Sequence, residues 1–298
     1  MAVRAEPAPA LPREREAEVT TTTGGRRFRP GGGLVLGVLV IAALIWLIPF
    51  LWAIATSLKP DAETTVAPVK WFGSKVTLEA YRAALDQGNI LKWYFNSLIT
   101  TTVITAGTIL TTSMAAFAFS RMRFRGRDAL MWMVLAGLIV PFQALIVPLF
   151  AEMDAFGLAD TYWGIILPQL AAPIAVLVFK RGFDALPREL EESALVDGAS
   201  MWHIYWHIWM PLSRATIAAV GIFTFVHAWN NFLWPFVVTS AGSLFTIPVG
   251  LATVQTSYGA LYAQQMAIAV LGALPLLFAF VLFQRQIVQG IANTGLKG

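Results

Sequence analysis

The chain has 298 residues, 57% hydrophobic and 13% charged, with no cysteine and a formal net charge of +4. Soluble domains carry about 25% charged residues, so this composition excludes an ordinary soluble protein and indicates a membrane-embedded one. The absence of cysteine removes disulfides, thiol nucleophiles and thiolate metal sites.

Residues 1–33 are mostly Pro, Ala, Glu, Arg and Thr, with almost no large apolar side chain before Phe28. Such a stretch cannot build a core and is expected to be a disordered tail. Residues 34–58 follow as a single apolar run. At about 25 residues it is longer than a signal-peptide core and fits a bilayer of ~30 Å, and no small-residue cleavage site closes it. Five further runs pass the same length test: 94–119, 129–150, 163–179, 215–238 and 266–283. Pro49, Pro141, Pro148, Pro168, Pro173 and Pro275 lie inside the six runs. Membrane helices tolerate proline where neighbours or water satisfy the freed carbonyls. The expected fold is therefore all-α, a polytopic membrane protein with six transmembrane helices.

Six spans place both ends on one side, and the basic residues choose it. With the N-terminus inside, 16 of the 21 Lys and Arg fall on inner segments. The other five (Lys59, Lys70, Lys75, Arg82 and Lys92) all lie in the first outer loop. Positive residues stay cytoplasmic, so both termini are expected inside. The charge is thus sorted by membrane side, and no nucleic-acid partner is expected.

One polar segment interrupts the apolar chain on the inner side, from Pro187 to Pro211. It reads as helix, turn, helix. Pro187 suits a first helical turn, and Glu189, Glu191 and Glu192 place negative charge where the helix dipole favours it. Asp197-Gly198 breaks this helix, because glycine takes positive φ cheaply. Ser200 can cap a second helix, on which Trp202, Tyr205, Trp206 and Trp209 recur at i, i+3, i+4 and i+7 as one aromatic stripe. By itself that stripe fits equally an interfacial helix with its aromatics at the lipid headgroups.

The pattern Glu192-Ser-Ala-Leu-Val-Asp-Gly-Ala-Ser200, with Pro211 nineteen residues after the glutamate, resembles the coupling ("EAA") loop of binding-protein-dependent ABC importer permeases. Ser193 stands where that family usually has Ala, and Ala215 where a proline often follows. Further motifs are similar to sugar-type permeases: Ser57-Leu58-Lys59-Pro60, Asn96-Ser97, Arg121-Met-Arg-Phe-Arg-Gly-Arg127, Trp229-Asn-Asn-Phe-Leu-Trp-Pro235 and Ile247-Pro-Val-Gly-Leu251. The resemblance covers residues 34–298 and favours the maltose-like branch (oligosaccharide and glycerol phosphate), in its second-permease position. It implies a type I importer transmembrane domain whose loop 187–211 docks an ATPase subunit through Glu192, Ala194, Asp197, Gly198, Ala199, Ser200, Met201, Trp202, Tyr205 and Pro211. The implied partners are a second, different permease, two ATPase subunits, an extracytoplasmic sugar-binding protein, the sugar and membrane lipid, in a prokaryotic cell membrane. The loop after the third run, with Glu152, Asp154 and Asp160, and the Gly- and Ser-rich stretch 239–264 would face the binding protein.

The chain carries no Gly-rich loop ending in Gly-Lys-Ser/Thr, so ATP is expected to be bound by partner subunits; neither a cofactor nor an enzymatic activity is expected of this chain. His203 and His207 share a helical face but lack the third ligand of a metal site. No Asp, Glu, Lys or Arg lies near the middle of a run, which argues against a proton-driven carrier. Asn96, Gln143, Gln169, Asn230 and Asn231 offer uncharged hydrogen bonds along a sugar path; helix–helix bonding is the alternative role. Two other functions remain to be weighed: a proton-coupled secondary carrier and a membrane scaffold that moves no solute.

Overall fold

The computed structural model describes residues 32–295, apart from 69, 87–88, 254 and 257–258. The expected disordered tail, residues 1–33, falls outside the described residues except for its last two. The chain divides after Ile48 into two units. In the first, the described residues belong to α1 (Gly32–Ser57), and Leu34, Leu39, Ile41 and Trp46 on it are all exposed.

In the second unit, a 3-10 turn (Asp61–Glu63) and α2 (Glu79–Asp86) lead into α3 (Ile90–Arg121), the longest helix of the interior. Asn96, Thr100, Ile104, Thr108, Thr112, Ala116 and Ser120 recur every fourth residue along α3, and all are buried. Small side chains at that spacing form a thin stripe against which other helices approach closely. Both α7 (Pro173–Asp184) and α11 (Arg214–Trp229) pack on it, and α14 (Tyr262–Gly295) packs on α11.

Three helices, Gly33–Ser57, Ile90–Arg121 and Tyr262–Gln284, are long and apolar enough to cross a membrane. Two bent pairs bring the number to five among the described residues. In the first, α6 (Tyr162–Ile166) and a 3-10 turn ending at Leu170 meet α7 at 48°. The bend falls between Pro168 and Pro173, neither of which has an N–H to continue the ladder. In the second, the segment Met201–Leu212 meets α11 at 78°.

The expected third run, 129–150, is not one helix. It divides into α4 (Arg127–Ala136) and α5 (Phe142–Ala155), separated at Pro141, which is extended at ψ 131°. The fifth run, 215–238, likewise breaks at Asn230 into α11 and α12 (Leu233–Val238).

The stretch 239–264 is more built than an exposed loop. It holds a 3-10 turn (Gly242–Leu244), α13 (Ile247–Thr253) and a two-residue antiparallel ladder, β1 (Gln255–Thr256) with β2 (Gly259–Ala260). Ile247 and Val249 are buried, with Ile247 in a cluster with Trp93 of α3 and Ile268 of α14. At Gly250 an added Cβ would fall 2.2 Å from the Trp93 ring, so the indole lies directly on the α13 backbone.

Asp160, grouped in the sequence with the outward acids Glu152 and Asp154, is exposed but tied to the start of the 239–264 stretch. It adopts φ 53°, which Asp tolerates better than most residues. Its carboxylate accepts from the backbone N–H groups of Ser240 (2.6 Å) and Ala241 (3.0 Å) and from the Ser240 hydroxyl. Its own N–H donates to the Val238 carbonyl at 3.0 Å. The Ser240 hydroxyl and these two amides hold the carboxyl below its ordinary range. Because the folded value is depressed, the clasp contributes fully above the unfolded value of about 3.9 and is lost as pH falls through the lower native value. Acidification below pH ~4 should therefore reduce the melting midpoint of the wild type more than that of Asp160→Asn, followed by the fluorescence of the 11 tryptophans.

Candidate docking loop and polar helix breaks

The polar segment folds as helix, turn, helix. α8 (Glu189–Val196) begins with three glutamates and ends in a Schellman motif. There the Ala199 N–H donates to Ala194 O at 2.9 Å and the Gly198 N–H to Leu195 O at 3.0 Å. Gly198 sits at φ +81° with open space around it, so the backbone angle and not crowding requires glycine. The Ser200 hydroxyl then accepts from the His203 N–H at 3.2 Å and caps α9 (Met201–Ile204).

The expected aromatic stripe divides between two faces. α9 runs into a π-helical turn, Tyr205–Trp209, before α10 (Met210–Leu212), and that turn shifts the register. Tyr205 and Trp209 are buried, whereas Trp202 and Trp206 are 59% and 47% exposed. Tyr205 and Trp209 join Phe117 of α3 and Phe179 and Phe183 of α7 in one core, with Phe117–Tyr205 ring centroids 5.3 Å apart. The Tyr205 and Ser113 hydroxyls share a buried hydrogen bond of 2.8 Å, tying the loop to the middle of α3.

A second tie comes from Arg121 at the end of α3, whose side chain is 3% exposed. It donates to the carbonyls of Phe183 and Leu186, the latter at 3.1 Å, and stands 3.9 Å from Glu191 of α8. Its guanidinium carbon lies 3.9 Å over the Trp209 ring. One planar cation thus fastens the last turn of α7, α8 and the π turn to α3; a flexible ammonium has neither the fork nor the stacking face to do this. Nearby, Asp184 accepts from Ser120 and Lys180, both at 2.6 Å.

The rest of the loop points away from this core. Glu192, Asp197, Gly198, Ser200 and Pro211 are exposed, Ala194, Ala199 and Met201 are half-buried, and Val196 is 87% exposed. The His203 and His207 rings stack at 4.1 Å. Among the described residues no group of three His, Asp or Glu side chains is placed to hold a metal.

Of the uncharged polar residues, Gln169, Asn230 and Asn231 lie at helix breaks, whereas Asn96 is within α3 and Gln143 within α5. Asn96 is buried; its amide donates to the carbonyls of Ser243 (2.8 Å) and Phe245 (2.9 Å), and its carbonyl accepts from the Tyr162 hydroxyl at 2.6 Å. Asn231 donates to Gln169 at 2.7 Å across the breaks after α11 and after α6, and Gln169 donates to Ile165 O at 2.9 Å. Asn230 is exposed and donates to Val226 O at 2.8 Å; Gln143 is exposed in the first turn of α5. Asn96 and Gln143 are not brought to the Asn231–Gln169 pair by any of these bonds.

Residues 107–293 match the family model of the binding-protein-dependent transport system inner membrane component. The chain belongs to this family. Among the permease's relatives, the arabinooligosaccharide permease AraQ of Halalkalibacterium halodurans is 35% identical, over 89% of this chain and 96% of its own. The sulfoquinovosyl glycerol permease SmoH of Agrobacterium fabrum is 33% identical, over 94% of this chain and 99% of its own. A chain of a bacterial ABC transporter that imports alginate shares the permease's fold, with a TM-score of 0.75 at 23% identity, covering 85% of this chain and 95% of that one. These relatives are named as transport proteins, so the permease is a transporter component of a prokaryotic inner membrane and not an enzyme.

The residues named from the sequence include the exposed Glu192, Asp197, Gly198, Ser200, Trp202 and Pro211, but also Tyr205, which the structure buries as a fastening to α3; the other fastenings were missed. Arg121 is one of four arginines in seven residues, and nothing in the motif says which of them turns inward. Arg121→Met should release α8 and the π turn, seen as faster proteolysis between 186 and 212. Because it strands Glu191 and removes a buried cation, it should also cost about 3 kcal/mol of stability in thermal or denaturant unfolding. Arg121→Lys should recover little of either.

Proposed function

We propose that this permease forms half of the translocation path of an ATP-driven importer for oligosaccharides or related glycosides, and that loop 187–211 docks an ATPase subunit. The observation that carries the reading is the loop's division into two faces. One face is bolted to α3 and α7 through Tyr205, Trp209 and Arg121, while Val196, Asp197, Gly198, Trp202 and Trp206 are left outside. A body that receives force needs both a rigid attachment and a free contact face.

The remaining parts follow from this role. Residues 34–298 make up the transmembrane domain, with both termini and the loop cytoplasmic, an orientation supported by the distribution of Lys and Arg. ATP binding closes the paired ATPase subunits, the loop carries that motion, and the 78° bend between Met201–Leu212 and α11 turns it into movement of the helices. A second permease completes the cavity, and an extracytoplasmic binding protein delivers the sugar. Chains named for arabinooligosaccharide, sulfoquinovosyl glycerol and lactose transport support the substrate class. Asn230, Asn231, Gln143 and Asn96 remain candidates for the path, with Asn230 and Gln143 the more accessible.

Gly198→Pro and Asp197→Lys should abolish sugar uptake and ATPase copurification while leaving membrane insertion intact; normal transport by both variants would refute docking. Since the chain has no cysteine, a single Ser200→Cys reports its side directly. It should react with an impermeant maleimide only in inside-out vesicles, and labelling of intact cells would overturn the orientation.

A further inference from the structure

A cavity of about 390 Å³ lies where the end of α3, the start of α4 and the end of α7 meet. Of the docking segment 187–211, only Arg188 lines it. Its wall carries Arg121, Arg127, Lys180 and Arg188 against Asp128 and Asp184. Arg121 is already balanced by Glu191, and its Nε is a buried donor with no partner among the described residues. Of the others, Lys180 pairs with Asp184 at 2.6 Å and Arg127 with Asp128 at 3.2 Å, which leaves one positive charge in excess, that of Arg188. The cavity therefore presents an unused donor and a single uncompensated cation, complementary to a monoanion.

The surroundings define the kind of monoanion. Phe119 and Met131 make part of the wall apolar. The helix that supplies Arg127, Asp128 and Met131 carries Leu130, Trp132 and Met133 exposed along the same stretch, at 46%, 71% and 68%. A basic hollow beside a strip of apolar surface at the end of a membrane helix fits a charged head with acyl chains alongside. A free phosphate uses only the hollow, and an acidic peptide has no use for the strip.

We propose that this cavity binds the monoanionic phosphodiester headgroup of a membrane phospholipid, with the acyl chains lying along α4. This goes beyond the docking role and rests only on the chain's being embedded in a membrane.

The test uses the permease purified with its partner subunits in mild detergent, and native mass spectrometry to weigh retained phosphatidylglycerol. The wild type should retain it in preference to phosphatidylethanolamine, and Arg127→Gln/Lys180→Gln should lower its retention by at least about five-fold. Lys75→Gln/Lys92→Gln, equal in charge change but outside the cavity, should retain it fully. Undiminished retention by the first pair, or equal retention of both lipids by the wild type, overturns the proposal. So does complete displacement by millimolar inorganic phosphate, which marks a free-anion site, or retention of the lipid only after the ATPase subunits are stripped away, which marks a protein interface. Should the first pair fail to assemble, a photoreactive phosphatidylglycerol on the wild type decides. Labelling within 119–133 or 180–188 supports the site, and labelling elsewhere alone refutes it. None of these readouts requires transport, so failure of the docking role leaves the result interpretable.

Discussion

The end of this permease where α3 and α7 terminate depends on one buried guanidinium. Arg121 is the last residue of α3, and from that point it reaches one carbonyl in the last turn of α7 and one just after it, the carboxylate of Glu191 and the face of Trp209. Each contact alone is modest, and an exposed ion pair would contribute almost nothing. Buried, the same group cannot be left unpaired without a large cost, so the pieces it touches must stay where they are. The constraint is geometric as much as energetic, since the fork and the flat face act on different partners at once.

That arrangement explains how a short polar loop can be stiff. Its first helix is closed by a glycine in the left-handed region and its second opened by a serine cap, both local devices written in adjacent residues. Local devices fix the path of the chain but not its attachment. Attachment comes from distant residues: Ser113 on Tyr205, Phe117 and Phe183 around the aromatic pair, Arg121 over Trp209. The opposite end of α3 uses the same logic with weaker groups. Asp160 gathers the amides of Ser240 and Ala241, and Asn96 takes the carbonyls of Ser243 and Phe245, so the segment after α12 is held from two sides.

Much of this was legible in the sequence because its cause is local. Gly198 as a helix stop, Ser200 as a cap and the apolar lengths of α1, α3 and α14 follow from spacing and residue type. What was not legible depends on partners far away in the chain. Hydropathy reports an apolar run and not a straight helix, so 129–150 and 215–238 read as single runs although Pro141 and Asn230 divide them. The tether of Asp160 is set by amides eighty residues on, invisible to a count of acids in a loop. The aromatic stripe was drawn on an ideal 3.6-residue helix, which the π turn is not.

The π turn also limits how this segment can change in length. An α-helix advances each side chain by about 100°, so the wide turn acts as one residue's worth of slack taken up between two fixed anchors. Removing a single residue there would swing Trp209 out from under Arg121 while Tyr205 stayed in place, and adding one would do the same in the opposite sense. Insertions and deletions are thus barred from the short stretch between the two buried aromatics, whereas the exposed bend at Asp197 and Gly198 touches no such pair. What is forbidden is drift in how the presented face is attached to α3 and α7.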